Sequence, residues 1–480
     1  MSFLSLEFSV FFLCLFPIYW SLASRPHWQN ILLTVVGLGC LVHIHELFAL
    51  AVLMFSTAIY AVAAQMSDKN KVSERKYWLR VGIVLALTNL SFFKYFDFFR
   101  PQLHRIVGES MGALDIALPL GISYYTFQSI AYLVSLYRHE PVKLKWHELL
   151  LHFSFFPTVT SGPIIRAGQM KTVDGIQAGF AAQVRTHKPR SIIKPALALS
   201  LILLGVTKKW WLAGTLSAGW VTPVFENPLQ YDVLSVLTAI YGYTVWLFFD
   251  FSGYTDLVIG IAMLLGFRLP QNFRMPLQAS NIRSFWERWH ISLSAWIRDY
   301  IYIPLGGSRK GFVRTQVNVM IAMLLSGIWH GYGWNFLLWG ALHGLAFIGL
   351  NIADRRFGRE ALALAFPWGR AVGIFFTVNF VCFSFVVFAT HSLHDAGLIF
   401  QALLGGGRGW VMPDLGVLTV LLLMVLSLVF YRKLVWLFRS FVRLLVRLPV
   451  WAWPFALSAV LLFLMVVAPS GIPGFIYANF

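Results

Sequence analysis

The chain has 480 residues, of which 58% are hydrophobic, 16% aromatic and only 12% charged, with 38 basic against 20 acidic residues. These values exclude an ordinary soluble protein and predict a polytopic membrane protein. Apolar runs close to the roughly 20 residues that a bilayer core needs follow one another between short polar loops. Because these runs are continuous rather than alternating, they predict helices and not a barrel.

The basic excess lies mainly in short loops between the apolar runs, where positive charge marks the cytosolic side of a membrane. Nucleic acid is therefore not an expected partner, although a basic cytosolic loop would also suit a phosphate-bearing cofactor. The three cysteines, Cys14, Cys40 and Cys382, lie far apart within apolar runs. Their spacing predicts neither a disulfide nor a metal site.

Three apolar runs fill residues 7–66 at the start of the chain. The first lacks the basic segment that precedes a cleaved signal, so we predict an uncleaved span. The loop at 67–80 carries five basic residues and is predicted to face the cytosol. Farther along, Pro157 and Pro163 interrupt the run at 149–168, which predicts a re-entrant or kinked element that contacts protein or water rather than lipid.

Residues 233–265 hold two apolar runs around a pair of aspartates, Asp250 and Asp256, near the predicted membrane depth. A carboxylate there costs about 2.5 to 3.5 kcal/mol to insert, so each needs a partner or a wet cavity. Salt bridges to arginines of residues 268–314 are one interpretation, and an ion or proton site is the other. Two full crossings would place the basic 268–314 segment outside, so we predict that one nearby apolar segment does not cross the membrane.

The stretch from 280 to 344 combines charge, aromatic rings and histidine within a mostly apolar chain. Between Arg268 and Arg314 there are eight Lys or Arg residues, against only Glu287 and Asp299. Such a composition is unfavourable for a membrane span and typical of a functional site.

Two histidines of this stretch stand out by their context. His330 ends an apolar run beside Trp329 and Trp334. An apolar setting disfavours the charged imidazole and leaves a neutral base that can accept a proton from a hydroxyl. A core histidine bonded to a backbone carbonyl is the alternative. His290 lies among arginines, so we predict that its segment is an interfacial helix that borders a cavity rather than an apolar span.

Four segments together carry a family resemblance. They are FFPTVTSGPI (155–164), FFDFSGYTDLVIGIAMLLGF (248–267), NFRMPLQASNIRSFWERWHISLSAWIRDYIYIPLGG (272–307) and SGIWHGYGWNFLLWGALHG (326–344). In this order they resemble the membrane-bound O-acyltransferase family. Within that family the chain is most similar to the members that serve alginate O-acetylation.

The resemblance implies an all-α polytopic integral membrane protein. It would have about 10–12 transmembrane helices, with re-entrant and interfacial helices around a central tunnel. It also implies a single integral membrane domain over residues 1–480, with N-terminal helices at 1–112, a catalytic core at 113–350 and C-terminal helices at 351–480.

The resemblance also implies site residues. His330 would be the catalytic histidine within the membrane, and His290 would be the second characteristic histidine. The candidate substrate-binding residues are Arg298, Asp299, Tyr302, Ser326, Trp329, Trp334 and Asn335. Asn335 or Trp334 would stabilise the oxyanion while His330 acts as a general base. No metal site is expected.

The implied activity is transfer of an acetyl group from a cytosolic thioester, expected to be acetyl-coenzyme A, across the bacterial inner membrane. The expected outcome is O-acetylation of an exopolysaccharide such as alginate. No cofactor would be bound permanently. The expected partners are the lipid bilayer, the acyl thioester donor and periplasmic acetyltransferase or polysaccharide-modifying proteins.

Other functions stay open at this point. A transporter or flippase would use Asp250, Asp256 and the buried histidines as a proton or substrate path, although no inverted repeat is visible. A structural subunit of a polysaccharide export complex would carry no chemistry of its own. The acceptor is open as well, since alginate, acetylated cellulose, another exopolysaccharide and peptidoglycan would need different partners.

Overall fold

The computed structural model describes residues 3–67, 73–107, 119, 121–172, 175–177, 179–359, 366–407 and 411–471. Two compact units make up the fold. One consists of Met1–Pro195 and Ile261–Gln271, and the other of Ala196–Gly260 and Asn272–Phe480. The predicted boundary after residue 112 lies outside the described residues, and the one after residue 350 lies inside a helix.

Within these residues, nine helices are long and apolar enough to cross a membrane, or ten if a bent pair near the C-terminus counts as one span. A shorter apolar helix lies at Leu6–Ser21. The only strands in the described part of the chain form a short antiparallel hairpin. The prediction of an all-α polytopic membrane protein is therefore confirmed.

The first unit contains helices of very different length and the hairpin. Its elements are α1 (Leu6–Ser21), α2 (Pro26–Ile44), α3 (Glu46–Ser67), α4 (Arg75–Val107), α5 (Ile122–Tyr137), α6 (Trp146–Ser154), β1 (Met170–Thr172), β2 (Gly175–Gln177) and α7 (Phe180–Val184). Helix α6 has nine residues and ends at Ser154, and the chain is non-helical from there to β1. The predicted break within 149–168 is therefore present. An added Cβ at Gly37 would lie 1.9 Å from the carbonyl oxygen of Ser154, so α2 packs directly on this break.

A buried arginine joins distant segments of the first unit. Arg190 donates hydrogen bonds to the side-chain oxygen of Asn30 (2.6 Å) and to the carbonyl oxygen of Gln183 (3.1 Å). Its guanidinium lies 4.5 Å from the centre of the Phe267 ring. Because a buried donor without an acceptor costs about 1–3 kcal/mol, these contacts fix the arrangement of the core of this unit.

The second unit carries both predicted catalytic histidines. The elements that follow α7 are α8 (Pro195–Glu226), α9 (Val233–Leu264), α10 (Ile282–Trp286), α11 (Ile291–Ile297), α12 (Phe312–His330), α13 (Trp334–Phe357), α14 (Gly369–Ala389), α15 (Leu393–Gln401), α16 (Leu415–Arg447) and α17 (Trp453–Val467). Short 3₁₀ turns lie at Pro228–Gln230, Pro276–Gln278 and Val450–Ala452. Wider π-helical turns lie within α8 at Thr207–Ala213 and Ser217–Val221, after α11 at Arg298–Tyr302 and after α15 at Ala402–Gly406.

Side-chain caps fix where three of these helices begin. Asn281, Ser392 and Asp414 each accept a hydrogen bond from the backbone amide three residues later, at 2.8, 3.1 and 2.8 Å. Each cap satisfies an amide that has no acceptor within the helix, which is worth about 1 kcal/mol. Helices α10, α15 and α16 begin directly after these three capping residues.

The sequence shows two apolar runs around the aspartates, but in the structure they form one continuous helix, α9. Asp256 binds Lys208 of α8 at 2.6 Å, and Asp250 binds Lys209 with both side chains buried. The prediction of paired carboxylates is confirmed, but the prediction of arginine partners is wrong. Because each carboxylate meets a cation inside the protein, the helix does not need to break to bring it to water. One helix of 32 residues also removes the second crossing that conflicted with the basic loop.

Close backbone packing places α8 against α9. An added Cβ at Gly253 would lie 2.9 Å from the carbonyl oxygen of Gly205, and one at Gly260 would lie 2.6 Å from that of Ala198. Small residues at both crossings let the two backbones approach, as in other membrane helix pairs. This short separation brings the two lysines within reach of the aspartates.

Removing one member of the buried pair should destabilise the protein more than removing both. We expect Lys209→Met to lower the free energy of unfolding by about 3–5 kcal/mol, because it leaves the Asp250 carboxylate buried without this cation. The double variant Lys209→Met/Asp250→Leu should recover most of that loss. Unfolding of the purified protein in detergent measures both changes.

Lys208→Met is the matched control, since Lys208 is partly exposed and its removal should cost less. A double variant as unstable as Lys209→Met alone would contradict the proposed role of the pair.

Candidate active site

His330 ends α12 among aromatic rings. The centre of its imidazole lies 4.5 Å from the ring centre of Trp329, 5.2 Å from that of Trp339 and 4.9 Å from that of Phe388. Only 4% of the residue is exposed. The rings keep bulk water away from the imidazole, which is the setting in which a base acts on a bound hydroxyl.

A tight hairpin of α12 and α13 positions this histidine. An added Cβ at Gly327 would lie 2.3 Å from the carbonyl oxygen of Phe336, and one at Gly340 would lie 2.5 Å from that of Met323. Backbone contacts this close fix the register of the two helices, because no side chain separates them. Trp339, directly before Gly340, is thereby held against the imidazole at the end of α12.

His290 directly precedes α11 and has a left-handed backbone conformation, with φ 43° and ψ 54°. Asn272 holds the residues after it: its carbonyl oxygen accepts from the amide of Ile291 (2.9 Å), and its side-chain oxygen accepts from the amide of Ser292 (3.1 Å). A residue with a side chain adopts this conformation at a cost of order 1 kcal/mol, and such residues cluster at functional sites. The surrounding hydrogen bonds therefore enforce the direction in which His290 points.

Trp329 lies between the two histidines. Its ring centre is 6.2 Å from that of His290 and 4.5 Å from that of His330. Phe251 of α9 contacts His290 with 4.7 Å between ring centres. Burial lowers the pKa of His290 to about 3, so this imidazole is neutral at physiological pH. His290 is buried, which places it inside the protein rather than at a water interface.

A third histidine, His343, belongs to the same cluster and was not predicted from the sequence. It contacts Trp339 with 4.8 Å between ring centres. The indole N–H of Trp286 donates to its Nδ1 (3.3 Å), and its Nε2 is 3.0 Å from the hydroxyl of Ser384. The Ser384 hydroxyl in turn donates to the carbonyl of Val381 (2.8 Å), so Nε2 of His343 is the donor and the imidazole is neutral.

The signal for His343 in the sequence is its spacing. It follows Trp339 by four residues in an apolar helix, so the two side chains share one helix face. Because both of its nitrogens have hydrogen-bond partners, His343 supports the wall of the site and is less suited to proton transfer than His330.

The predicted residues on either side of His330 have different positions. Ser326 lies one helical turn before His330 and is buried, and its hydroxyl has no hydrogen-bond partner among the described residues. Asn335 is also buried, and its amide nitrogen donates to the carbonyl of Thr390 (2.7 Å). Trp334 is 76% exposed, which is unfavourable for the predicted oxyanion contact.

Arg298, Asp299 and Tyr302 lie together on the π-helical turn after α11. The guanidinium Nε of Arg298 donates to the Asp299 carboxylate (2.7 Å), and the Arg298 side chain is 63% exposed. The turn packs against α12, the helix that ends at His330. Among the residues that the structure describes, no group of three or more His, Cys, Asp or Glu side chains could hold a metal ion.

The family comparison covers the whole of this histidine cluster. A family model described as MBOAT, membrane-bound O-acyltransferase family, matches residues 79–390. The chain belongs to the membrane-bound O-acyltransferase family. The predicted resemblance is therefore confirmed, and His290, His330 and His343 all lie in the matched stretch.

Relatives of this family member have names that refer to several polymers. The chain is 34% identical over 351 residues to the probable alginate O-acetylase AlgI of Pseudomonas putida, covering 70% of this chain and 66% of that protein. It is 30% identical over 371 residues to the peptidoglycan O-acetyltransferase of Helicobacter pylori, covering 72% and 68%. It is 29% identical over 286 residues to the teichoic acid D-alanyltransferase of Bacillus subtilis, covering 57% and 69%. The match thus spans just under two thirds of the length of the AlgI protein.

In this family member the structure brings together His290, Trp329 and His330, with Ser326 one turn away. It leaves Trp334 on the surface and packs the turn of Arg298 against α12. The catalytic and binding roles of these residues stay predictions.

The glycines of the α12–α13 hairpin should be sensitive to a single methyl group. We expect Gly340→Ala to lower the free energy of unfolding by about 1–3 kcal/mol, because the new Cβ collides with the backbone of Met323. Gly349→Ala on the same helix is the control, since nothing lies within 4 Å of its added Cβ. Thermal unfolding in detergent distinguishes them, and equal effects would contradict the close packing of the hairpin.

The buried state of His290 should make the protein less stable in acid. A histidine whose pKa is about 3 when folded and about 6.5 when unfolded takes up its proton on unfolding, so stability falls as the pH falls from about 6.5 towards 3. This effect should cost the wild type about 2 kcal/mol of stability between pH 7.5 and pH 5, and His290→Asn should not show that loss. Unfolding measured at pH 7.5 and pH 5 tests the difference.

The exposed His394 provides the control, and His394→Asn should keep the wild-type dependence on pH. If His290→Asn keeps that dependence as well, His290 is not the buried neutral group described above.

Proposed function

We propose that this membrane protein is an O-acyltransferase in which His330 is the general base. The observation that carries the proposal is the position of His330, buried at a helix end among Trp329, Trp339 and Phe388 within the family-matched stretch. A base in this setting can act on a bound hydroxyl without competition from bulk water. The names of the Pseudomonas and Helicobacter relatives favour acetyl as the acyl group.

The proposed reaction moves an acyl group from sulfur to oxygen. The imidazole of His330 takes the proton of an acceptor hydroxyl, and the hydroxyl oxygen attacks the acyl carbon of a thioester. The carbon–sulfur bond then breaks, and the imidazolium returns the proton to the departing thiolate. His290 would shape the same cluster through Trp329 without carrying charge.

The oxyanion of the tetrahedral intermediate needs hydrogen-bond donors. The indole N–H of Trp339 and the hydroxyl of Ser326 are both buried and make no hydrogen bond with the described residues. We therefore propose these two groups as donors. They are better placed for this role than Trp334, which is exposed, or Asn335, which is bonded to Thr390.

The proposed donor is acetyl-coenzyme A, bound from the cytosolic side and not held as a permanent cofactor. The eight basic residues between Arg268 and Arg314 would create a potential that attracts its phosphates. Within this stretch, exposed Arg298 and the neighbouring Tyr302 are the proposed contacts. The acyl end would reach His330 within the membrane.

The proposed acceptor is a hydroxyl group supplied on the other side of the bacterial inner membrane, leading to an exopolysaccharide such as alginate through periplasmic proteins. The alginate O-acetylase name of the Pseudomonas relative supports this proposal. The ion pairs of Asp250 and Asp256 favour acyl transfer over transport, because a proton path needs carboxylates that exchange their protons.

Acetyl transfer from radiolabelled acetyl-coenzyme A tests the proposal. Membranes containing the wild type should label a periplasmic partner or a polysaccharide. His330→Ala should lower that transfer by at least about 100-fold, because the general base is lost. His290→Ala tests the second histidine, and His394→Ala, at an exposed site, should keep wild-type activity.

Each variant is compared at equal amounts of folded, membrane-inserted protein. Wild-type transfer by His330→Ala would exclude this histidine as the base. No labelling by any membrane, with a periplasmic extract supplied, would exclude acetyl-coenzyme A as the donor.

A further inference from the structure

Four arginines from three separate segments of the second unit lie close together on the surface. They are Arg274, Arg288, Arg370 and Arg432, and we call them the arginine cluster. The amide of Arg274 donates to the carbonyl of Arg288 (3.0 Å), which joins the first two. The other two arginines lie at the start of α14 and within α16.

Packing around the cluster explains why these segments meet. The side-chain nitrogen of Gln278 donates to the carbonyl of Leu428, which holds α16 against the loop before α10. An added Cβ at Gly373 would lie 2.5 Å from the carbonyl oxygen of Ser280, so α14 packs on the same loop. Two helices with basic side chains, α14 and α16, therefore pack on the loop that carries Arg274.

The arginines of the cluster repel one another. Burial lowers the pKa of Arg288, and the charges of Arg274 and Arg370 lower it further. Tyr431, next to Arg432, lies within electrostatic range of both Arg288 and Arg370. In the described part of the chain none of the four is in an ion pair, and the acid in range of Arg288 is the exposed Glu287. Such a concentration of positive charge is favourable when an anion binds to it.

Helix α16 adds an apolar surface to this charge. It is bent by 86° between Leu415–Leu426 and Leu428–Arg447, so its two halves cannot both follow the membrane normal. In the second half Arg432, Arg439, Arg443 and Arg447 recur at spacings of seven and four and share one exposed face. This half contains no acidic residue.

A second face of the same half-helix is apolar and exposed. Leu434, Leu437 and Leu444 are 45%, 58% and 50% exposed, and their spacing places them on a common side. Leu445, between these faces and the rest of the unit, is fully buried and anchors the helix. A helix with a basic face and an exposed apolar face is typical of one that lies in the plane of a membrane surface.

We propose that the arginine cluster and the second half of α16 form a binding site for the headgroup of an anionic phospholipid. The guanidinium groups would bind the phosphate, and the exposed leucines would contact the acyl chains. A soluble nucleotide would use only the charged half of this surface, whereas a phospholipid satisfies both halves. The site shares no residue with the histidine cluster. Arg274 and Arg288 also belong to the basic stretch that is proposed to attract the acyl donor, so competition with coenzyme A must separate the two ligands.

Lipid binding to the full-length protein tests the site. The purified, delipidated protein in a neutral detergent is titrated with phosphatidylglycerol and with phosphatidylcholine, each labelled on an acyl chain, and anisotropy reports binding. Phosphatidylglycerol should bind more tightly. Arg370→Gln and Arg432→Gln should each weaken its binding about fivefold, and their combination about 25-fold, while phosphatidylcholine binding stays unchanged.

The control is the double variant Arg355→Gln/Arg356→Gln, which removes the same charge from exposed positions at the end of α13 and should bind phosphatidylglycerol as wild type does. Arg432→Lys should keep most of the phosphatidylglycerol affinity that Arg432→Gln loses, because the lysine ammonium group still attracts phosphate. If the double cluster variant does not fold, the single variant of exposed Arg432 carries the test.

Equal affinity for the two lipids would overturn the proposal, and so would equal losses in the cluster and control variants. Competition provides a further arm. If coenzyme A displaces the labelled phosphatidylglycerol at comparable concentration, the cluster holds nucleotide phosphates and not a lipid headgroup.

Discussion

The second unit depends on the neutralisation of two carboxylates within helix α9. Asp250 and Asp256 would be too costly at membrane depth without partners, and Lys209 and Lys208 of the neighbouring helix supply them. With these charges paired, α9 continues without a break and presents Phe251 to the imidazole of His290. The surroundings of one candidate catalytic histidine thus follow from ion pairs that lie outside the candidate active site.

Aromatic packing connects the histidines to one another. Trp329 contacts His290 and His330, and Trp339 contacts His330 and His343. Hydrogen bonds from Trp286 and to Ser384 fix the ring of His343, which supports Trp339 within the histidine cluster. This arrangement combines a packed wall with the imidazole of His330, the proposed base, which is kept from bulk water. Preorganisation of this kind lowers the cost of reaching a transition state, because the groups do not need to reorient during the reaction.

The basic residues of the chain have two distinct structural roles. The lysines of α8 neutralise interior carboxylates, where a compact ammonium group fits between closely packed helices. The arginine cluster instead gathers like charges at the surface beside an exposed apolar helix face. A planar guanidinium suits phosphate, so the choice of arginine there agrees with a lipid headgroup as the ligand. The formal net charge of +18 hides this division, because composition carries no information about neighbours.

The sequence by itself determined the membrane class, the family, the broken segment after Ser154 and the need for partners at Asp250 and Asp256. Hydropathy, proline positions and motif order are local properties, and they can be read without knowing which helices touch. Only the tertiary structure decided that 233–264 is one helix, that lysines and not arginines bind its aspartates, and that His343 and Trp339 belong to the site. These features depend on helix register and close glycine contacts between segments far apart in the chain, and pairing across such distances leaves no periodic signal in the sequence.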